Sequence, residues 1–191
     1  MSGGERVITR MRTLTTMTTV ALCLAVPGAA QAETALDGPN VLFRDKLVDQ
    51  LAGRWELEGT MAGRKTRYRV TAGWVLNHQF MRVHLKELGK KDGAYEALGG
   101  YEALVFLGHD NTRERHVAHW IDVFGGRASE TLGFGKRKGN AITFVFEYPD
   151  GPFRTTFRWN PRMRTWQLLM RTRNKAGKWS TFGQAILRRA K

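Results

Sequence analysis

Cysteine is almost missing: the 191 residues contain one, Cys23. A single thiol excludes an intramolecular disulfide framework and a zinc site built on several thiolates. Serine is nearly as scarce, with only Ser129 and Ser180 beyond the N-terminal region. Neither sits in a Gly-x-Ser-x-Gly elbow, and no Walker-type phosphate loop occurs, so serine-nucleophile and P-loop chemistry lack their motifs. Acidic residues are few, 17 against 31 Lys+Arg, leaving a formal net charge of +14. No apolar run is long enough to span a bilayer comfortably. What is present is an ordinary globular balance, 42% hydrophobic and 25% charged. That balance excludes wholesale disorder, and the length suits one domain with a sizeable core.

The N-terminal region reads as an export signal. Arg6, Arg10 and Arg12 give a positive start, Val20 to Val26 is apolar, and Ala30-Gln31-Ala32 matches a small-x-small cleavage site. Met11 is an alternative start. Leu22 before Cys23 disfavours a lipoprotein signal, and cleavage after Ala32 removes the only thiol, which suits an oxidising compartment. The expectation is a signal peptide over 1–32, a linker over 33–40 and one domain over 41–191, periplasmic or secreted. The excess of cations survives cleavage, because the leader carries only three arginines against Glu5.

Leu42, Phe43, Lys46, Leu47, Gln50 and Leu51 fall at helical spacing, which predicts one short helix within Val41 to Leu51, ended by Gly53. Beyond Gly53 the period becomes two. Phe153, Thr155, Phe157 and Trp159 alternate with Arg154, Thr156, Arg158 and Asn160; Ile142, Phe144, Phe146 and Tyr148 share one face; Trp166, Leu168 and Met170 share another; Tyr68, Val70 and Ala72 a third. Turn signals such as Ala62-Gly63, Lys91-Asp92-Gly93, Gly125-Gly126, Lys138-Gly139-Asn140 and Pro149-Asp150-Gly151 recur roughly every ten residues. The pattern predicts an all-β, antiparallel up-and-down barrel of about ten strands behind one short N-terminal helix. An open sandwich is the competing architecture.

Gly53-Arg54-Trp55-Glu56-Leu57-Glu58-Gly59 stands where the helix meets the first strand. Glycine permits the tight turn, and the Trp ring can close the end of a barrel. A helix followed by Gly-x-Trp opening an antiparallel meander resembles the calycins: lipocalins, fatty-acid-binding proteins and nitrobindin-like barrels. With Gly108-His109-Asp110 and Trp120-Ile121-Asp122, the chain is most similar to a bacterial exported group, domain-of-unknown-function family 1579. The resemblance runs from about Leu47 to Leu187 and implies a calycin-like barrel with no assigned activity. Nitrobindins hold haem through a His near the end of the barrel. All five His here (His78, His84, His109, His116 and His119) precede residue 120, so the matching ligand is absent and no cofactor is expected.

His116 and His119 lie three apart, which on a strand turns the rings to opposite faces and argues against a shared metal. His78 and His84 share strand parity but stand too far apart for joint ligation, so both read as barrel-wall side chains. Gly133-Phe134-Gly135 before Lys136-Arg137-Lys138 suggests a phosphate loop, yet a hairpin turn rather than a helix start follows, so it reads as a turn. Arginines crowd the last third beside Phe153, Phe157, Trp159 and Trp166. Strict alternation places rings inside and charge outside, whereas a nucleic-acid stacking platform needs both on one side, so no nucleic acid is expected.

The interior is the candidate site. Tyr68, Trp74, His84, Trp120, Phe144, Phe146, Phe157, Trp159, Trp166 and Met170 are lumen candidates, with Gly53 and Trp55 as the closing motif. The third strand's register is open: His78, Phe80, Arg82 and His84 oppose the more apolar Gln79, Met81, Val83 and Leu85. The expectation is a barrel binding a small apolar or amphipathic ligand non-covalently. Alternatives are a packed barrel whose basic exterior docks on anionic envelope components, and a lyase or isomerase with His84 or His119 as general base.

Overall fold

A computed structural model describes residues 42–89 and 98–191. The expected signal peptide and linker, and the turn at Lys91-Asp92-Gly93, lie outside the described residues. Ten antiparallel strands form a closed barrel: β1 (Gly53–Met61), β2 (Arg64–Val75), β3 (Phe80–Glu87), β4 (Glu102–Asp110), β5 (Arg115–Asp122), β6 (Leu132–Lys138), β7 (Ala141–Tyr148), β8 (Gly151–Asn160), β9 (Thr165–Arg173) and β10 (Trp179–Arg189). Each strand pairs with its chain neighbours, and β1 closes on β10 from Trp55↔Arg189 to Met61↔Gly183. The expected barrel is therefore present, and closure removes the exposed edges that a sandwich would keep. No helix among the described residues is long and apolar enough to cross a membrane.

The two-residue period sorts the side chains as expected. Leu57, Tyr68, Val70, Phe144, Phe146, Phe157, Trp166 and Leu168 are buried inside, whereas Arg69, Arg158 and Gln167 are exposed. The third strand resolves to Met81, Val83 and Leu85 inward. His78 is not on that strand. It sits in the β2–β3 turn, where Leu76, Asn77 and His78 all adopt left-handed backbone (φ 51°, 52° and 65°). Gly133 and Gly135 lie within β6, not in a turn. A Cβ on Gly133 would stand 2.6 Å from the Phe146 ring, and one on Gly135 would collide with the Thr143 carbonyl. Those glycines therefore make room for neighbours rather than cradle a phosphate.

One barrel end is plugged by the N-terminal segment. The expected helix is a single 3-10 turn, Val48–Leu51, flanked by the irregular stretch from Leu42. Asp45 explains the shortening. Its Oδ1 accepts from the Leu47 N–H at 2.7 Å and from Arg137 Nη1 at 2.7 Å, and its Oδ2 lies 2.9 Å from His116 Nε2. These bonds tie the segment to β5 and β6 instead of leaving it a free amphipathic helix. Three indoles grip the turn: Trp55 Nε1 donates to Leu51 O at 2.7 Å, Trp74 Nε1 to Asp49 Oδ1 at 3.0 Å, and Trp166 Nε1 to Gln50 O at 3.3 Å. The Arg189 guanidinium stacks on the Trp55 ring at 3.9 Å and donates to Ala52 O at 2.6 Å. Gly53 adopts φ +123°, a backbone conformation that L side chains rarely take, so glycine is favoured there, and any Cβ would also displace that guanidinium.

Candidate functional site

The opposite end of the barrel is hollow. A cavity of about 480 Å³ opens between the β1–β2 and β7–β8 hairpins and the β5–β6 connection. Its walls follow from inward positions near the open ends of the strands: Tyr68 and Leu85, Trp120, Phe146, Phe153, Leu168 and Met170. The short helix α1 (Gly126–Ser129) between β5 and β6 supplies one lip through Arg127 and Ala128. The other half of the lumen is filled, because Trp55, Phe144 and Trp166 are fully buried with Leu51 and Val48 from the plug packed in the same core.

The ten lumen candidates therefore divide three ways. Tyr68, Trp120, Phe146 and Met170 line the cavity. Trp74, Phe144, Phe157, Trp159 and Trp166 belong to the filled half: Phe144 meets Phe157 edge-on at 6.3 Å, Trp159 contacts Trp55 and Trp166 at 6.3 and 5.4 Å, and Trp74 stacks on His78 at 3.8 Å. His84 is on the outer wall, with Nε2 2.6 Å from Glu102 Oε1, because Met81, Val83 and Leu85 take the inward phase. The closing role of Gly53 and Trp55 is the plug geometry above.

His119 also faces away from the lumen. Its Nε2 donates to the Ser129 carbonyl at 2.7 Å and fastens α1, so neither proposed histidine base reaches the cavity. His116 points inward to Asp45 while His119 points outward, so the pair does not converge. No group of three or more potential metal ligands occurs among the described residues.

Sequence reasoning missed the polar end of the cavity. Asp122 lies two residues beyond Trp120 and shares its inward phase. Its Oδ2 accepts from Tyr101 Oη at 3.3 Å, its Oδ1 accepts from the Phe124 N–H at 3.0 Å, and Trp120 Nε1 donates to Tyr101 Oη at 3.0 Å. Burial pushes the Asp122 carboxyl above its ordinary value despite the hydrogen bonds from Phe124 and Tyr101. Burial, with the nearby Asp122 charge, likewise raises the hydroxyls of Tyr101 and Tyr148. The cavity thus presents one partly desolvated carboxylate among rings. Such a group favours a ligand that donates a hydrogen bond or carries positive charge.

Tyr148 and Phe153 were legible from the strand faces, and Asp122 from the Trp-Ile-Asp run, had the phase been followed to its end. Phe182 was not legible. Gly183, Ala185 and Leu187 point inward, so alternation sends Phe182 out, but a register shift between Thr181 and Gly183 brings it to the cavity. Phe124 and Phe182 line the mouth while remaining 50% and 38% exposed, an apolar rim at the entrance. No family model and no curated protein matches the chain.

Proposed function

We propose that the protein is an exported carrier that binds a small amphipathic molecule, with apolar rings in the lumen and a hydrogen-bond-donating end, preferably an amine, at Asp122. The observation that carries this reading is the half-filled barrel. The same strands pack tightly around Trp55 and Trp166 at one end yet leave about 480 Å³ at the other. That volume falls within the range of small-molecule sites, and the lining is the usual combination of apolar walls and few polar groups. Burying about 300 Å² of apolar ligand surface contributes roughly 7 kcal/mol before the costs of association. The calycin resemblance and the leader-like N-terminus support a carrier role outside the cytoplasm.

The test is a titration with N-phenylnaphthylamine, an apolar fluorophore bearing one N–H. Saturable binding with enhanced emission is expected. Met170→Trp, which pushes a bulkier ring into the cavity, should weaken it, and Asp122→Leu should weaken it about tenfold, the value of a hydrogen bond to a charged group. Absence of saturable binding, or binding indifferent to both folded variants, refutes the carrier reading.

A further inference from the structure

The outer wall carries a second feature that the cavity does not use. On β7, β8 and β9 the outward positions form a grid with Thr143 opposite Thr156, Arg154 opposite Arg171, and Arg158 opposite Gln167. These six side chains border a groove of about 300 Å³. At its floor Thr143 Oγ1 and Thr156 Oγ1 are hydrogen-bonded at 2.9 Å. Lys136 of β6 stands opposite Thr143 and extends the row of cations.

Like charges directly opposed on paired strands destabilise a sheet unless something neutralises them. Elsewhere on this barrel neutralising partners exist. Arg67 pairs with Glu56 and Glu58, Lys86 and His84 with Glu102, Arg113 and Arg115 with Asp110, and Arg137 with Asp45. Among the described residues no carboxylate pairs with Arg154, Arg158 or Arg171. Arg154 is moreover stacked on the Trp179 ring at 4.2 Å, and its Nε is enclosed without a hydrogen-bond partner. The Trp179 stack holds the Arg154 guanidinium beside its opposed neighbour Arg171, and an oxyanion in the groove would neutralise both through charge-assisted hydrogen bonds.

The geometry points to an oxyanion site on the outer wall, in which Arg154, Arg158 and Arg171 grip a phosphoryl or sulfate group above the Thr143–Thr156 pair. Arginine's fixed fork suits such groups better than a diffuse positive field would. The group arrives either on a soluble ligand or on an anionic lipid, and the recognition chemistry is the same. The site is independent of the cavity, which lies on the other side of the same strands.

The experiment uses inorganic pyrophosphate as the probe and thermal unfolding as the readout. The wild-type protein is expected to gain at least about 3 °C at saturating pyrophosphate, since a ligand that binds only the folded state raises Tm by mass action. Part of that gain should persist at about 0.15 M salt, because a partly buried site is screened less than exposed charge. Arg158→Gln with Arg171→Gln should abolish the response, and so, in large part, should exposed Arg158→Gln alone. Lys65→Gln with Arg69→Gln, the same charge change on the outer face of β2, should leave it intact. Sedimentation with phosphatidylglycerol vesicles, against phosphatidylcholine vesicles, separates the sources. Vesicle binding lost in the Arg158/Arg171 variant assigns the phosphoryl group to a lipid, and a pyrophosphate response without vesicle binding assigns it to a soluble ligand. No response to either probe, or a response that the β2 variant removes equally, overturns the site.

Discussion

Asp122 illustrates how a single residue can be held at a cost. Its folded-state carboxyl is raised by burial, so its contribution to stability is greatest below the unfolded value of 3.8 and is lost as pH rises through the higher folded value. Asp122→Asn should therefore raise the thermal midpoint at neutral pH and change it little at pH 3, measured by calorimetry in both buffers. If the variant is destabilised equally at both pH values, the carboxylate is a structural anchor and not a strained binding group. Thr155 is a second case. It borders the cavity, is fully buried, and its hydroxyl has no hydrogen-bond partner. Val has the same shape without the polar atom, so Thr155→Val should be neutral or stabilising by up to about 1 kcal/mol in urea unfolding. A clear loss would reveal a partner for that hydroxyl.

At the scale of elements, the plug and the turns around it carry the tension. Burial alone would raise the Asp45 carboxyl, but the His116 hydrogen bond, the Leu47 N–H and the Arg137 charge outweigh it and hold it at about 2. The sign of the linkage is the reverse of that for Asp122. The stabilisation is present above the ordinary value of 3.8 and disappears as pH falls through about 2. Asp45→Asn should cost about 2 kcal/mol at pH 7, and most of the difference from wild type should be gone by pH 2. Denaturant titrations at pH 7 and pH 2 check it. The β2–β3 turn is strained differently. Leu76 is 69% exposed yet left-handed, and the turn is anchored by His78, whose Nδ1 lies 2.8 Å from Phe43 O and whose ring stacks on Trp74. Leu76→Gly removes the steric conflict without emptying the core and should stabilise the fold by about 1 kcal/mol. Unchanged or lower stability by chemical denaturation would count against that strain.

Across the whole molecule, the barrel is one closed sheet with two different halves. Ten strands enclose more room than side chains fill, and the plug with its three indoles occupies only one end. The ion pairs are also uneven: among the described residues they fall between β1 and β6 and on the plug, and none involves the arginines of β7 to β9. The filled end depends on residues far apart in sequence, such as Trp55 and Trp159, that the closed barrel brings together, whereas the arginine row depends on the register of the β8–β9 hairpin.

Alternation in hydrophobicity was enough to specify the strands and most of their inward faces, since a half-buried strand imposes that period wherever it lies, but it left the third strand's face open and misread Gly133-Phe134-Gly135 as a turn. It placed Tyr68, Trp120, Phe146 and Met170 on the lumen side. It did not say that Phe144, Phe157 and Trp166 sit at the filled end, because depth along a barrel depends on strand tilt and stagger, not on parity. Nor did it find Phe182, moved by the β10 register shift, or set the phase of His84, which depended on Met81, Val83 and Leu85 winning the interior. Local pattern, in short, dictates which way a side chain faces. Only the closed tertiary structure decides what it meets there, because a cavity, a plug and a shared carboxylate are made by segments that the chain keeps apart.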